Sequence, residues 1–228
     1  GNVLYAPVLG RNGGYATVDV SDSSNLRLIS GSDVPNTDLA PGSDIALNGS
    51  GFALLVGEVN GDNLIDVMDV SDPAATNGFL TRYLAPSNVE NVAIAGGIGF
   101  AGAGSSGLQG VNYFEFGARG QSPTISISLE PTLDPLEIEE GKTLLLSASV
   151  TDDVQVRSVE FYVNGRLRFT DVCYPFEFFF TSPSIADSGE VFSLQARAVD
   201  TGGNVGVSEN LTVGLTPDAS GPVIVNSI

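Results

Sequence analysis

The chain has 228 residues, with 27 acidic against 9 basic side chains and a formal net charge of −18. Histidine and tryptophan are absent, and Cys173 is the single cysteine. These counts exclude a histidine-based triad, an imidazole general base, His-ligated zinc, an internal disulfide framework and a CxxC redox motif. The acidity would repel a phosphate backbone, so nucleic acid is not an expected partner. Hydrophobic residues make up 42%, enough for a core, and no apolar run of about 18 residues exists to insert into a membrane.

Residues 3–9 already read as a strand. The C-terminal stretch Gly221-Pro222-Val223-Ile224-Val225 looks like the opening strand of another domain. The expectation is a piece of a longer polypeptide, with any active site free to lie outside it.

An internal repeat organises residues 1–118. Val18-Asp19-Val20-Ser21-Asp22 recurs as Met68-Asp69-Val70-Ser71-Asp72, 50 residues later. Ile45-Ala46-Leu47 is echoed by Val92-Ala93-Ile94, and Phe52-Ala53 by Phe100-Ala101. Phe114-Glu115-Phe116 reads as a third, degenerate copy of the first motif. Each copy predicts a strand, a Gly/Asn turn, a second strand ending at the Asp-Val-Ser-Asp stop, and two further extended segments. About four short strands per period of ~45 residues is the pattern of a propeller blade. The turns Arg11-Asn12-Gly13-Gly14, Asn60-Gly61-Asp62-Asn63 and Gly104-Ser105-Ser106-Gly107 accept the positive φ of tight hairpins.

The string from Leu64 to Pro73, with Val89-Glu90-Asn91-Val92-Ala93-Ile94-Ala95-Gly96 downstream, resembles the LVIVD repeat of bacterial surface proteins. That resemblance implies partial β-propeller blades over 1–118. The first copy departs from the pattern with Ser23 where Pro73 stands, and the third keeps only apolar alternation. Two or three blades fall short of the roughly 4–8 that close a ring.

From Pro123 the pattern changes, after a Gly/Arg/Ser linker at 119–122. Leu144, Leu146, Ala148 and Val150 share one face of a strand; so do Val159, Phe161 and Val163, before a two-residue Asn164-Gly165 turn. Phe176, Phe178 and Phe180 form a third set, and Phe192, Leu194, Ala196 and Ala198 a fourth. Val205, Val207, Leu211 and Val213 close the series, with a slip near Ser208–Asn210. Period-2 alternation over about seven strands predicts an antiparallel sandwich at 123–215. The run Ser147–Gly165, with Tyr174-Pro175-Phe176 and Ala196–Asn204, is similar to a bacterial Ig-like domain. The resemblance implies a spacer or binding module of a secreted or cell-surface protein. Residues 216–228 resemble a linker and the start of a further module of the same kind. The fold class expected is therefore all-β: partial propeller blades, then an immunoglobulin-like sandwich.

Candidate chemistry is sparse. Glu58–Asp69 has oxygen side chains at EF-hand spacing. However, Asn63 stands where the loop needs glycine, Asp69 where it needs glutamate, and the flanking apolar residues alternate with period 2, so a hairpin is expected. In the sandwich, Asp152, Asp153, Asp200 and Asn204 lie in the B–C and F–G turns at one end, where they could converge on calcium; the alternative is that they cap those turns. The aromatic run Phe176–Phe180 reads as core rather than a carbohydrate platform. Cys173 reads as a buried or half-buried small hydrophobe. Asn48-Gly49-Ser50 and Asn210-Leu211-Thr212 match glycosylation sequons by pattern alone. No carboxylate pair, nucleophile elbow or phosphate loop stands out, so no catalysis is expected within the segment.

The function expected is non-catalytic: the propeller presents loops to a surface ligand, protein or polysaccharide, and the sandwich spaces it alongside neighbouring Ig-like modules. Two alternatives remain open. The segment could be an accessory region of an extracellular hydrolase whose catalytic domain lies elsewhere, or a calcium-dependent assembly module.

Overall fold

The computed structural model describes residues 2–8, 13–31, 42–113, 120–132 and 136–219. Their fold is all-β, with one short α-turn at Ile185–Ser188 and a 3-10 turn at Gly104–Ser106. Among the described residues, strands of the first half pair with one another, as do those of the second.

Three antiparallel meanders build the first half. The first sheet comprises β1 (Val3–Pro7), β2 (Tyr15–Asp19) and β3 (Arg27–Ser30). The second has four strands: β4 (Gly42–Leu47), β5 (Phe52–Val59), β6 (Asp62–Asp69) and β7 (Phe79–Ala85). The third comprises β8 (Asn91–Ala95), β9 (Ile98–Gly102) and β10 (Leu108–Val111).

The middle sheet buries apolar side chains on both faces, because β5 supplies the run Ala53-Leu54-Leu55-Val56 and β6 supplies Leu64, Ile65, Val67 and Met68. Ala53, Leu55, Met68 and Val70 face the first sheet and pack with Tyr15 and Tyr5. Leu54, Val56, Ile65 and Val67 face the third and pack with Ile94, Ala101 and Val111. Burying each larger aliphatic side chain contributes about 1.5–3 kcal/mol. This two-sided burial stacks the three sheets.

The 50-residue repeat is structural. In both copies the Asp-Val-Ser-Asp stop makes the same turns. Asp19 Oδ1 accepts from Ser21 N–H at 2.9 Å, and Asp69 Oδ1 from Ser71 N–H at 3.0 Å. Asp22 Oδ1 accepts from Ser24 N–H and Asp72 Oδ1 from Ala74 N–H, both at 2.9 Å. Even the irregularities coincide: the register slips between Thr17 and Val18 in the first sheet, and between Val67 and Met68 in the second. Aspartates at this spacing close Asx turns, which is why the motif ends its strand.

The strand grouping differs from the expected one. The two extended segments after the Asp-Val-Ser-Asp stop belong to different sheets: β7 completes the second sheet, and β8 opens the third. The four-stranded unit is thus offset from the sequence motif, and only the middle sheet has all four strands among the described residues. Those sheets do not close into a ring. The Phe114–Phe116 copy, and Arg11-Asn12 of the first turn, lie outside the described residues.

The second half is a sandwich. One sheet has the order β11 (Thr124–Glu130), β13 (Thr143–Thr151), β16 (Phe176–Thr181). The other runs β12 (Glu137–Glu139), β19 (Leu211–Thr216), β17 (Val191–Asp200), β14 (Val156–Val163), β15 (Arg166–Asp171), with β18 (Val205–Val207) also on β17. The alternating residues named from the sequence form its core: Leu146, Phe161, Leu194 and Ala196 are fully buried. Phe178 stacks with Phe161, Phe169 and Phe180 at centroid separations of 5.8, 5.4 and 5.3 Å. The aromatic run is core packing, with Phe179 on the opposite, exposed face. Val207 is a correction: it is exposed, because the chain breaks at Ser208–Asn210 and β18 ends before β19 restores alternation at Val213.

Candidate functional site

The seam between the halves is formed by corresponding hairpin turns of successive sheets. The β4–β5 connection supplies Gly49 and Ser50, and the β8–β9 turn supplies Gly96 and Gly97. Ser50 Oγ donates to Val154 O at 3.3 Å, and Gly96 N–H donates to Val172 O at 2.9 Å. Gly97 has φ +79°, and a Cβ there would lie 2.5 Å from Thr201 Cγ2. Gly49, at φ +80°, presses against the Tyr174 ring, where a Cβ would come within 2.5 Å. Glycine is required at both points by conformation and by close approach.

Gln155 is the polar centre of this seam and is fully buried. Its Nε2 donates to Asn112 Oδ1 at 3.0 Å, and its Oε1 accepts from Thr201 Oγ1 at 3.2 Å. Its backbone oxygen accepts from Thr201 N–H at 3.0 Å. Sequence reasoning missed Gln155, since an isolated glutamine beside two aspartates carries no periodic signal. Beside the seam opens a cleft of about 310 Å³, bordered by Tyr5, Phe52 and Val70 from the sheets and Val150 and Tyr174 from the sandwich. Its apolar walls and hydroxyl groups suit contact with a ligand that is part apolar and part hydrogen-bonding. Burial raises the Tyr5 phenol above its ordinary pKa, with the nearby Tyr174 adding to the effect.

The four expected calcium ligands divide into two pairs. Asp200 is fully buried, and both of its oxygens are taken by Asn204: the backbone N–H donates to Oδ1 at 2.7 Å and Nδ2 to Oδ2 at 2.8 Å. That pair caps the F–G turn. Asp152 and Asp153 instead border a second cleft, of about 310 Å³, with Gln121, Ser122 and Thr124. Both Asp152 oxygens are buried without a hydrogen-bond partner of normal geometry. Desolvation raises its pKa above the ordinary carboxylate value, and the Asp200 charge raises it further, while the Val154 N–H works the other way. Among the described residues no group of three or more acidic or thiol side chains is placed to hold a metal ion.

The remaining candidates resolve structurally. Glu58–Asp69 is a two-residue hairpin, with Asn60 at φ 54°, Gly61 at φ 91° and Val59 paired with Asp62. Its Asp66 is fully buried and bound by Arg82 at 2.6 and 2.8 Å. Cys173 is exposed, not buried or half-buried, because it sits in the turn after β15, where Asp171 Oδ1 accepts its N–H at 3.1 Å. Asn48 is buried, and its Oδ1 accepts from Ser50 and Phe52, so that sequon is a turn cap.

Residues 123–194 match the family described as the bacterial Ig domain. The search of curated proteins returned no significant match. Among solved structures, the chain is similar to the fibronectin(III)-like modules of Clostridium thermocellum CbhA, at 15% identity and a TM-score of 0.33, covering 40% of this chain and 97% of that one. No helix among the described residues is long and apolar enough to cross a membrane. The family match falls wholly in the second half, whose sandwich carries the matching alternation on two packed sheets: residues 123–194 are similar to a bacterial Ig-like module.

Proposed function

We propose that this chain is a non-catalytic segment of a secreted or cell-surface bacterial protein. The three stacked sheets are read as LVIVD-like propeller blades that present loops to a surface ligand, protein or polysaccharide. The Ig-like module braces them and spaces them from neighbouring modules of its own kind. The observation that carries this reading is the seam. Buried Gln155 holds Asn112 at 3.0 Å and Thr201 at 3.2 Å, with Gly97 too close to Thr201 for any side chain. A satisfied polar group at the centre of a close-packed contact fixes geometry, which presentation requires and a loose tether does not supply.

The test is retention of the 228-residue chain on insoluble bacterial and plant polysaccharides and on immobilised extracellular proteins, with soluble sugar assayed in parallel. Saturable retention with no released sugar supports the reading. Released sugar overturns it in favour of a hydrolytic role, and no retention on any surface removes the adhesive part.

A second reading, calcium-dependent assembly, is favoured by one observation: the two buried oxygens of Asp152, which lack a hydrogen-bond partner of normal geometry, border an oxygen-lined cleft beside Asp153. Calcium takes such hard oxygen ligands. Asp200 and Asn204 would not contribute while bound to one another.

A further inference from the structure

The cleft at the seam has an uncharged lining. None of the described residues that border it carries a formal charge, in a chain with 27 acidic side chains. The second cleft, of the same volume, is bordered by Asp152 and Asp153. Hydroxyl groups stand at the seam instead. The sheets supply Tyr5, Ser50 and Ser71, and the sandwich supplies Ser149 and Thr151. Strand alternation puts Ser149 and Thr151 together on the exposed face of β13, opposite buried Leu146 and Ala148.

Three of these hydroxyls have their protons committed within the protein. Tyr5 Oη donates to Val70 O at 3.1 Å, Ser50 Oγ to Val154 O at 3.3 Å, and Ser71 Oγ to Asp69 Oδ1 at 2.6 Å. A hydroxyl has one proton and two lone pairs, so each of the three remains an acceptor. A ligand that satisfies them must bring donors of its own. An anion brings none, and it is opposed by Asp69 beside Ser71 and by Asp72, close enough to Tyr5 to act on its phenol. A cation would lose its water in a lining that offers no carboxylate in return.

The apolar part of the lining is Leu47, Phe52, Val70 and the ring of Tyr174. That ring is 38% exposed. Phe176 meets it edge-on at 6.0 Å, and Gly49 lies close against it. A fixed, part-exposed aromatic ring beside uncharged acceptors matches a sugar, which has an apolar C–H face and a rim of hydroxyl donors. The volume of about 310 Å³ lies at the low end of the range for small-molecule sites, roughly 300–1,000 Å³, so the fit is to a short saccharide rather than to a protein surface.

We propose that the seam cleft binds a neutral saccharide, with Tyr174 as its apolar platform and Tyr5, Ser50 and Ser71 as acceptors for its hydroxyl groups. The proposal rests on the ligand-binding part of the function above and moves the binding site from the loops to the seam.

The experiment is titration calorimetry of the full chain with neutral cello-, xylo-, malto- and chito-oligosaccharides, and with anionic oligogalacturonide and cationic chitosan oligomers. Tyr174→Ala and Tyr5→Phe are compared with Tyr83→Phe, which makes the same change as Tyr5→Phe away from this cleft; folding of each is checked by circular dichroism and melting. The expected result is saturable binding of at least one neutral oligosaccharide and of neither charged one. Tyr174→Ala weakens it about tenfold or more, Tyr5→Phe several-fold, and Tyr83→Phe leaves it unchanged. Should Tyr174→Ala fail to fold, the two Tyr→Phe variants still decide. Absence of binding to every neutral oligosaccharide, equal binding of a charged one, or affinity indifferent to Tyr5→Phe overturns the proposal. Retention of the parent on polysaccharide that persists undiminished in the cleft variants overturns it too, and leaves the adhesive reading standing.

Discussion

The side-chain amide of Gln155 donates a 3.0 Å hydrogen bond to Asn112 Oδ1 across the seam between sandwich and sheets. Gln155 is fully buried while Asn112 is exposed, so the sandwich contributes the committed partner and the sheet stack the accessible one. Gln155→Ala removes this bond and the one from Thr201. A loss of about 1–3 kcal/mol is expected, since Thr201 loses its partner in a packed seam. Denaturant melts would show it, and limited proteolysis would show cleavage rising between residues 112 and 123. Unchanged melting would mean that the halves are not energetically coupled there.

Gly96 and Gly97 provide a paired comparison in one turn. A Cβ on Gly97 meets Thr201 at 2.5 Å and Gln155 at 3.1 Å, whereas nothing lies within 4 Å of one on Gly96. Both have positive φ, so Gly→Ala strains each backbone, but only Gly97→Ala also pushes the halves apart. Gly97→Ala should cost roughly 1–3 kcal/mol more than Gly96→Ala, the usual range for overpacking. Equal melting shifts for the two variants would refute the close approach.

Asp66 is fully buried and held by two bonds from Arg82. Removing the cation strands the carboxylate, so Arg82→Ala should destabilise the sheet stack by about 3–5 kcal/mol. The double change Asp66→Leu with Arg82→Leu should recover much of that loss. A single variant that melts like the parent would place the pair in effectively wet surroundings.

Asp152 has a carboxyl pKa raised by burial and by Asp200. Its folded pKa lies above its unfolded one, so its contribution is fully present below the unfolded pKa and is lost as pH rises through the folded value. Asp152→Asn should therefore stabilise the chain at neutral pH, by less than about 1 kcal/mol because the group is only part-buried, and the gain should vanish in acid. Excess calcium tests the second reading on the same melts. Stabilisation of the parent, abolished in Asp152→Asn, supports it, while superimposable curves with calcium and with chelator remove it. Binding only the folded state would add about 2.7 kcal/mol at a hundred times the dissociation constant.

Asp19 has a carboxyl pKa lowered by its bonds from Ser21. Its stabilisation is present above the unfolded pKa and is lost as pH falls through the lowered folded value, opposite in sign to Asp152. Asp19→Asn should flatten the acid limb of the stability curve. An unchanged acid limb would mean the turn survives without the charge.

Strand alternation was legible without coordinates because side-chain direction in a strand has period two. Leu144, Leu146, Ala148 and Val150 could only share a face, and Asn164-Gly165 could only turn with positive φ. The paired Asp-Val-Ser-Asp stops were equally plain, since an aspartate closes its turn with atoms two residues away. What lay beyond the sequence depended on groups distant in the chain. Whether β7 and β8 join one sheet or two is decided by which hydrogen-bonding edge each finds. Whether Asp200 serves a metal or Asn204 is decided by an amide four residues on, turned inward by the hairpin. Gln155 acquired its role because folding brought Asn112 and Thr201 to it from either side, and a buried amide costs free energy until both its ends are met.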